Sequence, residues 1–224
     1  MKIYDATLFK DKPTLPANFI PLPNANEAFV TTNGNFDSTK MKAYAGKPGL
    51  FFFDIEGPQA TPERLILCSQ YSDKAGPGQF GFYGIPSFPW IKQWDAATFP
   101  HGEWRSFMDK YKAIADYVDV AMPTCYTSMP TLISWQKLFL ETIRKTREMF
   151  PGKPVYPFLW PVWHDGSEKV GNYIGDEYWQ FQLNQCRRHC DGAIIWGGWD
   201  TVGSLGKLPW DDSASWWKIA QQYL

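Results

Sequence analysis

The sequence predicts an α/β protein, a compact or distorted TIM-type (β/α) barrel with about seven to eight parallel strands and few helices in its N-terminal part. Short apolar runs alternate with longer amphipathic stretches, which is typical of repeated βα units. The apolar runs have no polar face, so we expect a parallel sheet covered on both sides. At 224 residues the chain is shorter than the roughly 250 residues of eight full units, and its first fifty residues show little helical periodicity.

The strand candidates are apolar or β-branched runs bounded by Gly, Pro or polar turns. They span residues 2–9, 19–23 with or without 28–32, 49–56, 80–86, 118–124, 155–160 and 193–198. The helix candidates repeat large apolar residues at helical spacing. They span residues 61–72, 101–117, 131–150, 175–190 and 211–224. Thr61 followed by Pro62 is a typical helix start, and Gly175 or Asp176 begins the fourth helix. No linker or repeat divides the chain, so we expect one domain over residues 1–224.

Composition excludes some partners and favours another. The net charge of -1 gives no electrostatic footprint for nucleic acid or an anionic membrane, and no stretch approaches the roughly 20 apolar residues of a membrane span. Residues 1–5 lack the apolar run of a secretory signal, so the chain as given is expected to be soluble, with its compartment and oligomeric state open. Twelve Trp, 11 Tyr and 16 Phe exceed what a core needs, and flat rings suit a carbohydrate ligand.

The four cysteines, Cys68, Cys125, Cys186 and Cys190, are too few and too scattered for a disulfide scaffold. The segment CRRHC places Cys186, His189 and Cys190 on one helical face. No second pair of ligands with zinc spacing occurs elsewhere, so ordinary helix packing is favoured over a metal site. We expect no metal and no organic cofactor.

The segment LFFFDIEGP carries the strongest chemical signal. Asp54 and Glu56 end a predicted buried strand, and side chains two apart share one face with Phe52. Active sites of (β/α) barrels lie at the carboxyl ends of the strands. Mutual repulsion and partial desolvation are expected to raise the pKa of at least one acid, which is how a general acid is made. The alternative is structural, with one acid capping a loop and the other paired with an arginine.

Other predicted strand ends combine polar groups with flat rings, as a sugar-binding cleft requires. Tyr83 and Tyr126 follow two of the strands. Two further strand ends carry the candidates Trp160, Trp163, Asp165, Trp196, Trp199 and Asp200. Each ring taken singly is expected in the core, but the repetition favours a carbohydrate site.

These segments resemble the hyaluronidase-type glycoside hydrolases, and more loosely chitinase-like enzymes. FFFDIEGP is similar to their Asp-x-Glu strand, and DGAIIWGGWD to their closing Gly-x-x-x-Trp-Gly strand. FGFYGIPSF, VDVAMPTCYT and KPVYPFLWPVW resemble the strands between, so the likeness spans roughly residues 49–200.

The resemblance implies hydrolysis at an N-acetylhexosamine with retention, in which the acetamido oxygen of the substrate attacks the anomeric carbon. By this likeness Glu56 protonates the leaving oxygen, Asp54 orients the acetamido group, Tyr126 hydrogen-bonds it, and Trp196 lies under the reactive sugar. The chain departs from the family at Ser87-Phe88-Pro89, where the family has Asp-Cys-Tyr. Two alternatives therefore stay open: a lysozyme-like muramidase acting on peptidoglycan, and a barrel that binds carbohydrate without cutting it.

Overall fold

The computed structural model describes residues 1–26, 29–30, 35–56, 60–85, 109, 111–164, 167–200 and 206–224. Several sequence features lie outside these ranges: Gly57-Pro58, Ser87-Phe88-Pro89, Asp165, and residues 28, 31–32 and 101–108 of the predicted elements. The strands of the described ranges are β1 (Lys2–Thr7), β2 (Phe19–Pro21), β3 (Phe29–Val30), β4 (Asn35–Phe36), β5 (Leu50–Phe53), β6 (Gln79–Phe82), β7 (Phe158–Leu159) and β8 (Gly192–Gly197).

Each of the five predicted helices has a counterpart in the described residues, the second of them only as a short 3-10 helix, and one further helix at residues 38–45 was not predicted. The described helices are α1 (Ser38–Ala45), α2 (Pro62–Ala75), a 3-10 helix (Lys112–Tyr117), α3 (Leu132–Met149), α4 (Asp176–His189) and α5 (Ser215–Gln221). The hydroxyl of Thr61 accepts the N–H of Arg64 at 3.3 Å, so this predicted N-cap is confirmed. Gly175, not Asp176, is the N-cap of α4. No described helix is long and apolar enough to cross a membrane.

The parallel strands form two separate sheets. One has the order β2-β1-β8-β7, and the other pairs β5 with β6, while β3 and β4 form an antiparallel pair. β1 pairs with β8 along six residues, from Lys2 opposite Gly192 to Thr7 opposite Gly197. Isolated bridges connect the two sheets: Asn24 to Phe52 at one junction, and Tyr83 to Met122, Ala121 to Val155 and Thr124 to Phe158 at the other.

The described residues contain six parallel strands, fewer than the seven to eight expected, and no continuous ladder closes a barrel. The predicted strand 118–124 makes only bridges, and the predicted strand 155–160 is reduced to β7. Proline is the physical reason. Pro123 and Pro157 lie within these two segments, Pro154 directly precedes the second, and none of the three has an N–H to give to a ladder.

Apolar side chains collect in two clusters. The larger, outer cluster joins the strands to the helices and includes Phe51 and Phe53 of β5. The smaller one, which we call the inner cluster, takes its buried members only from strands and bridge segments. It consists of Tyr4, Ala6, Leu22, Phe52, Val120, Met122, Tyr156, Phe158 and Ile194. Because Phe52 lies in the inner cluster and its two neighbours in the outer one, the alternation of β5 points toward the inner side at positions 54 and 56.

Candidate active site

Asp54 and Glu56 come directly after β5. The strand ends at Phe53, short of the predicted end at Glu56. Asp54 nevertheless stays fixed, because its N–H donates to Oδ1 of Asn26 at 2.7 Å and its carbonyl accepts from Nδ2 of the same side chain. Asp54 is half-buried and Glu56 is exposed. The two acids thus leave the end of a buried strand, with the first anchored and the second open to solvent.

The pKa values of both acids are raised, as the sequence predicts for at least one of them. Burial, followed by the charge of Glu56, raises the pKa of Asp54 to about 6. Burial also raises the pKa of Glu56 above its ordinary value. Oδ1 of Asp54 is buried and has no hydrogen-bond partner among the described residues. An unpartnered buried carboxylate is costly, so this oxygen is suited to hold a proton or to meet a ligand.

Two tyrosines face the acids from the neighbouring segments. Tyr83 follows β6, Tyr126 follows the bridge segment 121–124, and their ring centroids are 6.2 Å apart. The two phenol groups are hydrogen-bonded to each other. Burial raises both pKa values, and the negative charges of Asp54 and Glu56 raise them further. The structure therefore brings four of the predicted site residues into one electrostatic group.

A cluster of aromatic rings adjoins this group. Tyr126 lies 5.6 Å from Trp160 and 6.2 Å from Trp196 between ring centroids. Trp160 meets Trp196 edge to face at 4.5 Å and 86°. His164, which the sequence analysis did not select, stacks on Tyr126 at 5.1 Å with an interplanar angle of 25°. Trp160 is almost fully buried, whereas Trp196 is partly exposed, so Trp196 presents the ring surface and Trp160 supports it.

A cleft of about 620 Å³ opens beside Asp54. Its lining includes the aromatic rings of Phe52, Trp196 and Trp199. Gly198 directly precedes Trp199 and has a φ of +81°, a conformation that residues with a side chain rarely adopt. A Cβ added at this position would collide with the backbone of Phe9, so the turn into Trp199 requires glycine. The volume is within the range of small-ligand pockets. Aromatic rings together with a carboxyl oxygen that has no partner among the described residues make the cleft suited to a sugar.

Two predicted site residues lie elsewhere. Trp163 is buried in the outer cluster and packs edge to face on Tyr178 of α4 at 5.4 Å, apart from the cleft lining. The alternation after β7 turns it away from the side on which Trp160 lies. Asp200 is half-buried in the loop after β8, where its N–H donates to Gly206, and it is not part of the cleft lining.

The cleft lining also contains groups that sequence analysis missed. Asp5 and Lys12 form an ion pair of 2.8 Å, and Asp5 also accepts the N–H and hydroxyl of Thr7. The Lys12 ammonium donates to three oxygens, on Asp5 and Thr7. An acid inside the apolar strand 2–9 was the available signal, because a buried carboxylate needs partners. Lys12 lies in a loop, and nothing in the local sequence connects it with Asp5.

The CRRHC segment ends α4. Cys186 is buried in the outer cluster, and its thiol is hydrogen-bonded to the thiol of Cys190. The His189 ring lies 6.4 Å from the ring of Phe139. Within the part of the chain that the structure describes, no three His, Cys, Asp or Glu side chains are grouped as metal ligands would be. The described cysteines are all free thiols.

No protein-family model and no curated protein matches the sequence. Solved structures do share the fold. Bee venom hyaluronidase superposes with a TM-score of 0.51 and 14% identity, over 81% of this chain and 69% of that one. Its complex with a hyaluronic acid tetramer gives a TM-score of 0.49 and 14% identity, over 81% and 67% of the two chains.

A GH18 chitinase from Pseudoalteromonas aurantia superposes with a TM-score of 0.50 and 13% identity, over 91% of this chain and 76% of that one. At such low identity the likeness concerns the fold alone. The predicted resemblance to hyaluronidase-type and chitinase-like proteins is thus confirmed as a distant relationship of fold, in an α/β chain with parallel strands.

Proposed function

We propose that this chain is a retaining glycoside hydrolase of N-acetylhexosamine polysaccharides. The observation that carries the proposal is the carboxyl of Asp54, which lines a ring-walled cleft with a pKa of about 6 and one unpartnered oxygen. Such a group next to a second acid is the arrangement that proton transfer to a leaving oxygen requires. The distant likeness of fold to a hyaluronidase and a chitinase adds support.

The proposal includes the architecture. Residues 1–224 form one distorted (β/α) barrel whose strands surround the inner cluster. Support comes from the bridges that link the two sheets at both junctions and from a cluster whose buried members are drawn from strands and bridge segments. In such a barrel the acids stand at the carboxyl end, where the βα loops gather.

In the first chemical step Glu56 gives its proton to the glycosidic oxygen. The acetamido oxygen of the substrate forms a bond to the anomeric carbon as the bond to the leaving oxygen breaks, which gives a cyclic oxazolinium ion and an alcohol. Asp54 accepts a hydrogen bond from the acetamido N–H and stabilises its growing positive charge. Tyr126 donates a hydrogen bond to the same group. Below about pH 6 the acid pair holds a proton, which can reside on Glu56 when the substrate N–H faces Asp54.

In the second step a water molecule attacks the anomeric carbon from the side of the departed alcohol. The Glu56 carboxylate takes a proton from that water, and the oxazolinium ring opens to restore the acetamido group. Two inversions at one carbon give net retention. Such substrate-assisted hydrolysis is a known exception to the rule of two carboxylates.

The rings supply binding. Trp196 lies under the reactive sugar, held edge-on by Trp160, and Trp199 contacts a sugar ring further along the cleft. Tyr83 positions the phenol of Tyr126 through their shared hydrogen bond.

The test is an assay near pH 5 with an aryl N-acetylglucosaminide, chitin oligomers, hyaluronan and peptidoglycan. We expect turnover of at least one, with the β-anomer of the product formed first from a β-linked substrate in proton NMR. A thiazoline analogue of the oxazolinium ring is expected to inhibit. Release of the α-anomer would overturn the retaining mechanism. Binding of oligosaccharide without any turnover would support the non-catalytic alternative, and cleavage of peptidoglycan alone would support the muramidase.

A further inference from the structure

The junction between β2 and β5 begins as an ordinary parallel ladder. Phe52 donates its N–H to the carbonyl of Pro23 at 3.0 Å and accepts the N–H of Ala25 at 2.8 Å. These two bonds flank the bridge from Asn24 to Phe52. In a parallel ladder the next rung up would join Asp54 to the peptide groups on either side of residue 26.

A side chain makes that rung instead. Asn26 accepts the N–H of Asp54 at its Oδ1, at 2.7 Å, and donates from its Nδ2 to the Asp54 carbonyl. The main chain has already turned, because the N–H of Asn26 bonds to the side-chain Oδ1 of Asn24 at 2.9 Å. Asparagine is a usual residue for such a turn. The amide of Asn26 therefore replaces a peptide unit that the turn has removed from the sheet.

We propose that Asn26 is a positioning residue, whose amide continues the ladder in place of the main chain and so fixes the direction of the Asp54 carboxyl. The turn and the amide act together. Pro23 and Asn24 line the cleft together with Asp54. At this point the main chain of residues 24–26 turns away from β5. Without the amide, the same departure would leave both backbone groups of Asp54 unpaired at the end of the strand.

This inference rests on the proposed function for its catalytic meaning, but its geometric content stands separately. Oriented groups contribute to catalysis only while they are held in place. Oδ1 of Asp54 has no hydrogen-bond partner among the described residues, and the bonds from Asn26 reach the Asp54 backbone, so the residue is anchored through its main chain.

The experiment follows the titration of Asp54 by carbon NMR of a protein with labelled aspartate carboxyls, assigned with Asp54→Asn. In Asn26→Ala the strand end loosens and water reaches the carboxyl, so its pKa should fall by about one unit. In the isosteric Asn26→Asp one hydrogen bond stays and a negative charge is added, so the pKa of Asp54 should rise by about half a unit or more. Opposite shifts from one position would not arise from general destabilisation.

Asn172→Ala is the matched control, since Asn172 is exposed and bonds only to the nearby Lys169 carbonyl through its side chain. It should leave the Asp54 titration unchanged. An Asp54 pKa within about 0.3 units of wild type in both Asn26 variants would overturn the inference. If wild type proves active, Asn26→Ala should lower kcat about tenfold or more with a smaller change in KM. If it proves inactive, the proposed function fails, and the titration still decides the role of Asn26.

Discussion

The junction of β1 with β8 differs sharply from the junction of β2 with β5. The first is a continuous ladder of six residue pairs, with Ile3, Ala193 and Ile195 fully buried along it. The second has one bridge, a turn, and a rung supplied by the side chain of Asn26. The candidate acid lies at the second junction. Regular backbone pairing leaves no free space between strands, and an interrupted pairing leaves a cleft.

The contrast shows how one fold can serve both stability and chemistry. Buried apolar ladders contribute the largest part of the free energy of folding. Groups with raised pKa values cost stability and must be held by neighbours that are stable without them. Each substitution below acts on one junction and should leave the other unchanged, in decreasing order of expected effect.

Glu56→Gln should reduce turnover of the aryl N-acetylglucosaminide about a thousandfold, because the amide has no proton to give to the leaving oxygen. Its free energy of unfolding should change by less than about 0.5 kcal/mol, since the side chain is exposed. Activity is measured near pH 5 and stability by urea denaturation. Glu168→Gln, which changes an exposed acid in the loop between β7 and α4, is the control and should keep full activity. Turnover within tenfold of wild type would remove Glu56 from the mechanism.

Ile194→Ala acts on the ladder between β1 and β8, where Ile194 is fully buried in the inner cluster. Loss of its side chain leaves a cavity and should lower the free energy of unfolding by about 3 kcal/mol. The pH dependence of activity should stay the same. Ile133→Ala, in which the replaced side chain is 67% exposed, should change stability by less than about 0.5 kcal/mol. Equal effects of the two variants would contradict the assignment of the inner cluster as core.

Asp54→Asn should stabilise the protein at neutral pH. Folding raises the pKa of Asp54 from 3.8 to about 6, so between these values the folded state binds more protons than the unfolded state. Wild-type stability therefore falls as the pH rises through that window. The full shift corresponds to about 3 kcal/mol, and partial solvent access should reduce the gain at pH 7 to about 1–2 kcal/mol.

Urea denaturation at pH 4 and pH 7 measures this effect. The variant should lose less stability between the two pH values than wild type does. Asp116→Asn, at an exposed position of the 3-10 helix, should show the wild-type dependence. A variant with the same pH dependence as wild type would show that Asp54 ionises freely in the folded state.

Trp199→Ala should have the smallest effect, a loss of about tenfold in affinity for an N-acetylglucosamine oligosaccharide. The ring lines the cleft but does not meet the acids, and one stacked ring contributes about 1 kcal/mol. Isothermal titration calorimetry measures the affinity. Tyr71→Ala, on the outer face of α2 and 41% exposed, should bind as wild type does. Unchanged affinity in Trp199→Ala would place the sugar outside this cleft.

Local rules predicted the helices well. Thr61 caps α2 as predicted, because this signal acts within one turn of chain. The structure adds a capping box of Thr131 with Ser134 at the start of α3, which the sequence analysis did not name. α1 was missed, although Asp37 accepts the N–H of Thr39 and Lys40 at its start. Its apolar spacing is weak, and the cap alone was the signal.

The candidate site was predictable where it depended on alternation and not where it depended on contacts between distant segments. Phe52 lies in the inner cluster and Asp54 lines the cleft beside it, as residues two apart on a strand should. Trp163 lies in the outer cluster, on the face opposite Trp160, as alternation over three residues gives. Asn26 acts on a residue 28 positions away, and the local sequence marks it only as a turn former.

Lys12 has a consequence for loop engineering. The Lys12 ammonium donates three hydrogen bonds to oxygens of Asp5 and Thr7. The end of β1 therefore requires a lysine at position 12 of the loop. A loop grafted in place of residues 8–12 without a cation at the matching point would leave the buried Asp5 with its two hydrogen bonds from Thr7 but without its counter-charge, which should destabilise the fold. Diversification of this rim for new ligands should therefore retain the lysine or replace Asp5 together with it.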